Sequence, residues 1–519
     1  MAGPLGERSG LLGVDVVLAS MSSAVVLGVE GHPVRVEVHA GNGLPGFTIV
    51  GLPDASCREA RDRVRAAILS SGLTWPMERV TVNLAPSDVR KVGAGLDLAI
   101  ALCVLAASKQ VDVEQLARVG AVAELGLDGS LRPVKGLVGL ADAVVCTDLI
   151  VAERGAEQAA VIRPGSVRAA SCLRQVVDGL RGDGPLPPVV EVSEVAVGTG
   201  PVFDLADVRG QPMARLALEV AAAGGHHLLM VGSPGSGKTM LASRLVGLLP
   251  DLAPDDALLA TKIHSVAGLG LPAGGLLRRP PFRAPHHTAS SVALIGGGSS
   301  AIRPGEISMA HAGVLFLDEL GEFPVAVLEA LRQPLEDGVV RISRSAASAT
   351  MPARFQLVAA MNPCPCGEGT TVGSCRCSEA ARSRYARRLS APLLDRFDLR
   401  IDVLAPDALL LLTEGKEEPS VEVARRVTEA RAVSADRGVR CNAALSSSQI
   451  DQFASLDSSA RALAERALRA GELSGRGLRR VRAVARTIAD LQDARPQIDA
   501  QALSLALSLR SKPLLGGIS

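Results

Sequence analysis

The chain has 519 residues, 47% hydrophobic and 21% charged, the balance of a folded protein too long for a single core. Its 55 basic and 54 acidic side chains leave a net charge of +1, which excludes a global basic field; a polyanion must be held by a local patch. Aromatics are only 2%, with one Trp and one Tyr, so cores must be built from Ala, Val, Leu and Ile, and the composition argues against a grip on nucleic acid by base stacking.

The opening MAGPLGERSG lacks the basic-then-apolar order of a secretory signal, and the longest apolar run, Leu98 to Ala107, is about half the length that spans a bilayer. Five cysteines are scattered and four are clustered, which is no disulfide framework. The expected location is a reducing cytoplasm, with no membrane partner.

In chain order, VVLGVE, PVRVEVHA and GFTIVGL read as strands, Ser56 to Ser71 as an amphipathic helix and RVTVNLAP as a strand. Leu96 to Ala107 reads as a buried helix, and Gly120 to Leu137 as strands with a turn at Asp128-Gly129. Residues 1–181 therefore form an α+β domain. Residues 182–202 hold four prolines and no helical period, and read as a linker. Residues 203–406 form an αβαβ pattern around a parallel sheet, and residues 407–519 carry a 3.6-residue period expected of a helical domain.

The segment HHLLMVGSPGSGKTMLASRLVGLL is strand, loop, helix. Its loop, Gly232-Ser233-Pro234-Gly235-Ser236-Gly237-Lys238-Thr239, fits G-x-x-x-x-G-K-[ST], so ATP and Mg²⁺ are the expected cofactors. Glycines let backbone N–H groups turn inward around phosphates, and the following helix aims its positive end at them. Lys238 would reach the β and γ oxygens, and Thr239 would ligate Mg²⁺. GVLFLDEL is a buried strand ending in two carboxylates: Asp318 to hold Mg²⁺ through water, Glu319 to polarise the attacking water. A third strand, FQLVAAMNP, delivers Asn362 to the same end.

This arrangement resembles the AAA+ plan, which implies further roles. Asn362 takes the sensor-1 position, beside γ-phosphate and lytic water. Arg396, in LSAPLLDRFDLRIDV, takes that of an arginine reaching a neighbouring subunit's γ-phosphate; the alternative is a salt bridge to Asp395 or Asp398. Arg476, in LSGRGLRRV, takes the sensor-2 position, with Arg479, Arg480 and Arg482 as rivals. An arginine working on a neighbour implies a closed ring, in this class a homohexamer.

GLPGFTIVGLPD, VTVNLAPSDVRKVGAGLDLAIAL, PFRAPHHTASSVALIGGG, RPGEISMAHAGVLFLDELGEF, MNPCPCG and AVARTIADL extend the likeness over nearly the whole chain. They resemble the magnesium-chelatase-like AAA+ family, in its YifB/ComM branch. The resemblance implies an α/β fold: a P-loop AAA+ core with a helical lid, preceded by a ChlI-type domain similar to ribosomal protein S5 domain 2 and to the Lon protease domain. ComM-type members are implied to be hexameric DNA motors for branch migration in natural transformation. A magnesium-chelatase I-type subunit and a protein-remodelling ATPase are the rival readings. Lon-type proteases need a Ser–Lys dyad, and here Gly95 and Val138 stand at those places, so no peptidase activity is expected.

Cys364-Pro365-Cys366, eight residues, then Cys375-Arg376-Cys377 places four thiols in one loop, a set that suits a structural Zn²⁺ although the spacing is tighter than in zinc ribbons. Two segments are expected to touch DNA, single-stranded or branched, without sequence preference. One is a mobile loop from Arg283 to Arg303, with Arg283, His286 and His287. The other is a hairpin in GVVRISRSAASATMPARFQLV, with Arg341, Arg344 and Arg354 around its tip.

Overall fold

The computed structural model describes residues 17–190, 203–272, 275–298, 302–344, 347–368, 375–405, 417–492 and 495–510. The chain divides into two compact units. One comprises residues up to 196 with His264–Leu276; the other comprises Val197–Ile263 and the chain from Leu277 onward.

The first unit is built on β1 (Val17–Leu27), β2 (Glu30–Gly41), β3 (Gly46–Val50), β4 (Arg79–Ala85), β5 (Val119–Val122), β8 (Asp148–Ala152) and β9 (Val167–Ala170), in the order β3-β4-β2-β1-β5-β8-β9. A small hairpin, β6 (Glu124–Leu125) and β7 (Leu131–Arg132), encloses the expected turn at Asp128-Gly129. The sequence VVLGVE is not one strand: β1 ends at Leu27, and Gly28, at φ 67°, turns the chain into β2. Leu137 begins the helix Leu137–Ala143 rather than ending a strand.

Helix Ala55–Ser70 starts at Asp54, whose carboxylate accepts the N–H of Cys57 at 2.8 Å. Helix Asp97–Ala107 is buried on every side, as its unbroken apolar run requires. Its one charge, Asp97, is held by a two-pronged bond from Arg63 at 2.7 and 3.1 Å. Gly95 faces the apolar side chains of Val122 and Val134, and Val138 is fully buried, so neither place where a dyad would stand carries a nucleophile or a proton-transferring group.

The second unit carries a five-stranded parallel sheet of β10 (Leu228–Val231), β11 (Phe282–Arg283), β14 (Val314–Leu317), β17 (Gln356–Met361) and β18 (Leu399–Asp402). The order β11-β14-β17-β10-β18 inserts β17 between the phosphate-loop strand and the strand ending in Asp318. The chain thus reverses its winding at β10, the kind of place where open α/β sheets bind ligands, beyond the strands' carboxyl ends. Helices Ser420–Asp436, Gly475–Gln492 and Ala500–Ser508 share one core with this sheet, made almost wholly of Ala, Val, Leu and Ile. Among the described residues no helix is long and apolar enough to cross a membrane.

The segment from Arg283 to Arg303 is not an open loop. It contains the helix Ser291–Ile295, capped by Ser290, and the pair β12 (Gly296–Gly297) and β13 (Arg303–Pro304). The expected hairpin is present as β15 (Val339–Arg344) and β16 (Ala347–Pro352). Of the expected linker, residues 191–202 lie outside the described residues.

Candidate nucleotide site

After β10 the chain turns through Gly232–Gly237 into the helix Lys238–Leu245. Two positions in the turn need left-handed backbone, and glycine supplies both: Gly235 at φ 77° and Gly237 at φ 91°. Lys238 is buried, and its Nζ donates to the carbonyl oxygens of Gly232 and Ser233 at 2.8 Å each and to Asn362 Oδ1 at 3.4 Å. Burial lowers its pKa, with the charge of Asp318 acting the other way. An ammonium among neutral acceptors lacks a full counter-charge, and phosphate oxygens are stronger partners than carbonyls.

Thr239 Oγ1 donates to Asp318 Oδ2 at 2.6 Å, so a hydroxyl and a carboxylate meet at one point, a donor set that suits Mg²⁺. Glu319 follows at φ 53°, ψ 46°, a left-handed conformation costing a non-glycine residue about 1–3 kcal/mol. Its N–H donates to Asp318 Oδ1 at 2.9 Å. The three strand ends named from sequence are therefore brought together: Lys238 and Thr239 after β10, Asp318 and Glu319 after β14, Asn362 after β17.

Three neighbours of this site were not foreseen as such. His287 Nδ1 lies 2.9 Å from Glu319 Oε2, against the carboxylate expected to activate water. Gln211 donates from Nε2 to Ser236 O at 2.8 Å and to Leu404 O at 3.0 Å, tying the phosphate loop to the chain beyond β18. Tyr385 is pressed on Gly321, where a Cβ would lie 2.5 Å from the phenol oxygen. Burial pushes the Tyr385 hydroxyl up to about 12, while the backbone N–H of Asn362, directed at it, acts the other way. Gln211 fits no motif, and only its being the sole tyrosine singles out Tyr385.

Arg396 and Arg476 lie elsewhere. Both line a cavity of about 860 Å³ with Arg332, Arg479 and Arg480, and no residue of the phosphate loop reaches it. Arg396 pairs with Glu336, not with Asp395 or Asp398. Burial lowers the Arg396 pKa, and the positive charges of Arg480, Arg332 and Arg476 add to the effect. Among the rivals for the lid role, Arg480 is committed to Asp398 at 2.5 Å and Arg482 to Asp451 at 2.8 Å. Arg479 donates to Leu445 O at 3.2 Å, whereas Arg476 is exposed and its side chain makes no hydrogen bond or ion pair with another described residue.

The segments expected at DNA are placed as follows. Arg283 forks onto Glu306 at 2.6 and 2.9 Å. His286 is exposed, with Nδ1 2.9 Å from Thr288 Oγ1. Arg341 is exposed on β15 and pairs with Asp337 at 3.1 Å; the side chain of Arg344 lies outside the described residues. Arg354 donates its backbone N–H to His311 Nδ1 at 3.2 Å, at the foot of the hairpin. The four clustered thiols converge, every sulfur within 4.8 Å of the others.

Comparison with known proteins decides the family. The chain is 45% identical to the competence protein ComM of Haemophilus influenzae over 481 residues, covering 92% of this chain and 94% of that one. It belongs to the ComM/YifB family of magnesium-chelatase-like AAA+ ATPases. YifB of Escherichia coli K12 is 44% identical over 497 residues, covering 95% and 97% of the two chains. The families described as subunit ChlI of Mg-chelatase, as magnesium chelatase subunit ChlI, and as its C-terminal part match residues 36–153, 204–409 and 417–510 respectively. A more distant likeness is to the DNA replication licensing factor mcm-6 of Caenorhabditis briggsae, 25% identical over 203 residues, 39% of this chain and 20% of that one. Membership of this ComM/YifB family implies ATP hydrolysis, with ATP and Mg²⁺ as cofactors.

Proposed function

We propose that this protein is an ATP-driven ring motor, a homohexamer, that acts on DNA in the cytoplasm, as a helicase or branch-migration enzyme of recombination or natural transformation. One observation supports it above the rest: the catalytic set is divided. Gly232–Thr239, Asp318, Glu319 and Asn362 gather at the ends of the parallel strands, whereas Arg396 and Arg476 share a separate arginine-lined cavity. Arginines that lie apart from the chain's own nucleotide site would serve a neighbour's, and a head-to-tail contact repeated by rotation closes into a ring. In this reading Lys238, Thr239 and Asp318 hold the Mg²⁺–triphosphate, and Asn362 and Glu319 place the water. Arg396 and Arg476 of the next subunit neutralise charge as the γ-phosphoryl leaves.

DNA is favoured as the partner by the competence name of one relative, by the likeness to a replication licensing factor and by the exposed Arg341 on the β15–β16 hairpin. A few arginines repeated around a ring grip phosphate without reading bases. The domain expected over residues 1–181, with Gly95 and Val138 in place of a dyad, then serves docking, not proteolysis.

ATPase measured with single-stranded, duplex, forked and four-way DNA tests this. Stimulation several-fold by forked or four-way DNA, weakening steeply with salt, is expected. No stimulation and no DNA binding at low salt would overturn it. Stimulation instead by porphyrin and chelatase partners would select the chelatase reading that the matched family descriptions favour.

A further inference from the structure

The thiols of Cys364, Cys366, Cys375 and Cys377 take no part in the catalysis proposed above. Cys364 is buried, Cys375 and Cys377 are half-buried and Cys366 is exposed. The Sγ–Sγ separations are 3.3 Å for Cys364–Cys366, 3.6 Å for Cys364–Cys375 and 3.8 Å for Cys366–Cys375, and Cys377 lies within 4.8 Å of all three. A disulfide needs about 2.05 Å, so these are not bonded pairs. A tetrahedron with Zn–S bonds of about 2.3 Å has edges of about 3.8 Å, the range seen here. The set is too tight to surround a cluster of several metal atoms. Backbone N–H groups of Glu368 and Arg376 point at Cys366 Sγ, where they would support a metal-bound sulfur.

The cluster also touches the nucleotide machinery. Cys364 lies two residues beyond Asn362. Between them and the rest of the loop stands Gly367, at φ 81°, where a Cβ would come within 2.5 Å of Pro234 Cδ. The turn that carries the first two cysteines therefore rests on the phosphate loop itself.

We propose that these four cysteines bind one zinc ion per chain, and that the ion holds the Gly367 turn against Pro234, setting the positions of Asn362 and the phosphate loop. Four thiolates leave no coordination site for water, so the ion is structural. It forms as the thiols lose their protons to solvent and donate their electron pairs to Zn²⁺, with no change of oxidation state.

The test uses the full chain, purified under reducing conditions without added metal. Elemental analysis should give about one zinc per chain, falling to background in Cys375→Ser/Cys377→Ser. Should that variant fail to fold, Co²⁺ added to wild-type protein stripped by a mercurial and then reduced should give the intense visible bands of a four-thiolate tetrahedral ion. These should saturate at about one equivalent and vanish when zinc is added. Fluorescent ATP should bind several-fold more weakly to the stripped protein while its far-ultraviolet circular dichroism is unchanged. Wild-type protein without zinc that shows no such cobalt bands, or zinc retained in the double variant, would overturn the site. Unchanged ATP affinity on stripping would overturn its link to the phosphate loop.

Discussion

Arg396→Ala isolates the division of labour on which the proposed ring depends. The guanidinium lies in the arginine-lined cavity, away from the phosphate loop of its own chain. Its removal should leave ATP affinity within a few-fold of wild type and lower turnover by about 10³-fold or more, the scale of an arginine that stabilises a phosphoryl-transfer transition state. That is about 4 kcal/mol of barrier. Lys238→Ala should be inactive for the opposite reason, having lost the loop's grip on triphosphate. Each dead variant keeps the half-site that the other lacks. In rings assembled at random from equal amounts, an interface is intact when an Arg396→Ala chain supplies the loop and a Lys238→Ala chain supplies the arginine, which holds for about a quarter of interfaces. A coupled ATPase assay on the mixture, after subunit exchange, should therefore recover a readily measured fraction of wild-type turnover where each variant alone gives almost none. Failure to recover any activity in rings shown to be mixed, or an Arg396→Ala protein turning over near the wild-type rate, would refute the reasoning.

Glu319→Gln should bind ATP as tightly as wild type yet hydrolyse it about 10²- to 10⁴-fold more slowly, read from nucleotide binding and single-turnover hydrolysis. His287→Ala frees the Glu319 carboxylate from a contact of 2.9 Å; DNA-independent ATPase should rise and the ratio of stimulated to basal turnover should fall. Arg63→Ala leaves Asp97 buried without its partner and should cost about 3–5 kcal/mol, seen as a lowered denaturation midpoint of the first unit. His311 is buried with Nδ1 accepting from Arg354, and burial depresses its pKa from 6.5 to about 4. The unfolded chain therefore binds a proton that the folded chain resists, so this contribution to stability is complete above pH 6.5, is lost as pH falls toward 4, and amounts to about 3 kcal/mol. Thermal midpoints between pH 7 and 4.5 should fall less in His311→Gln than in wild type.

Residues around the phosphate loop were legible because their chemistry fixes both residue type and spacing. Gly235 and Gly237 must turn left-handed, Lys238 must follow at once, and a buried strand must deliver Asp318. Helix Asp97–Ala107 was legible for the simpler reason that eleven residues with one charge have nowhere to go but inside. What escaped was set by tertiary partners. VVLGVE has the composition of a strand throughout, and only the pairing of Leu27 with Glu30 shows that Gly28 turns it. A pair of histidines in a glycine-rich segment reads equally well as a phosphate contact or as packing. Its contact with Glu319 depends on β11 lying beside β14, an adjacency no local pattern encodes. The arginines of helix Gly475–Gln492 were legible as a group, but their roles were not. Arg480 and Arg482 are separated from Arg476 by acidic partners, Asp398 and Asp451, that stand far away in sequence.

In the proposed motor, the same adjacency would let one site answer to both nucleotide and polymer. With β17 between β10 and β14, Asn362 lies between Lys238, proposed to grip phosphate, and the strand that carries Glu319. Its backbone N–H meets Tyr385, which presses on Gly321 two residues beyond Glu319. His287, in contact with Glu319, opens the segment that runs through Ser291–Ile295 to β12 and β13. In the proposed motor, a polyanion that displaced that segment would move His287, and a moved His287 would change the setting of the carboxylate proposed to activate water. Coupling of this kind needs no long relay, because the two events share a side chain. It requires only that the His287–Glu319 contact be made in one state of the ring and broken in another. Tyr385→Phe keeps the aromatic ring but removes the hydroxyl toward which the Asn362 N–H is directed, and in this scheme it should lower turnover several-fold while leaving DNA affinity and the response to DNA unchanged. Loss of that response in Tyr385→Phe, with His287→Ala behaving as wild type, would place the coupling on the Asn362 side instead.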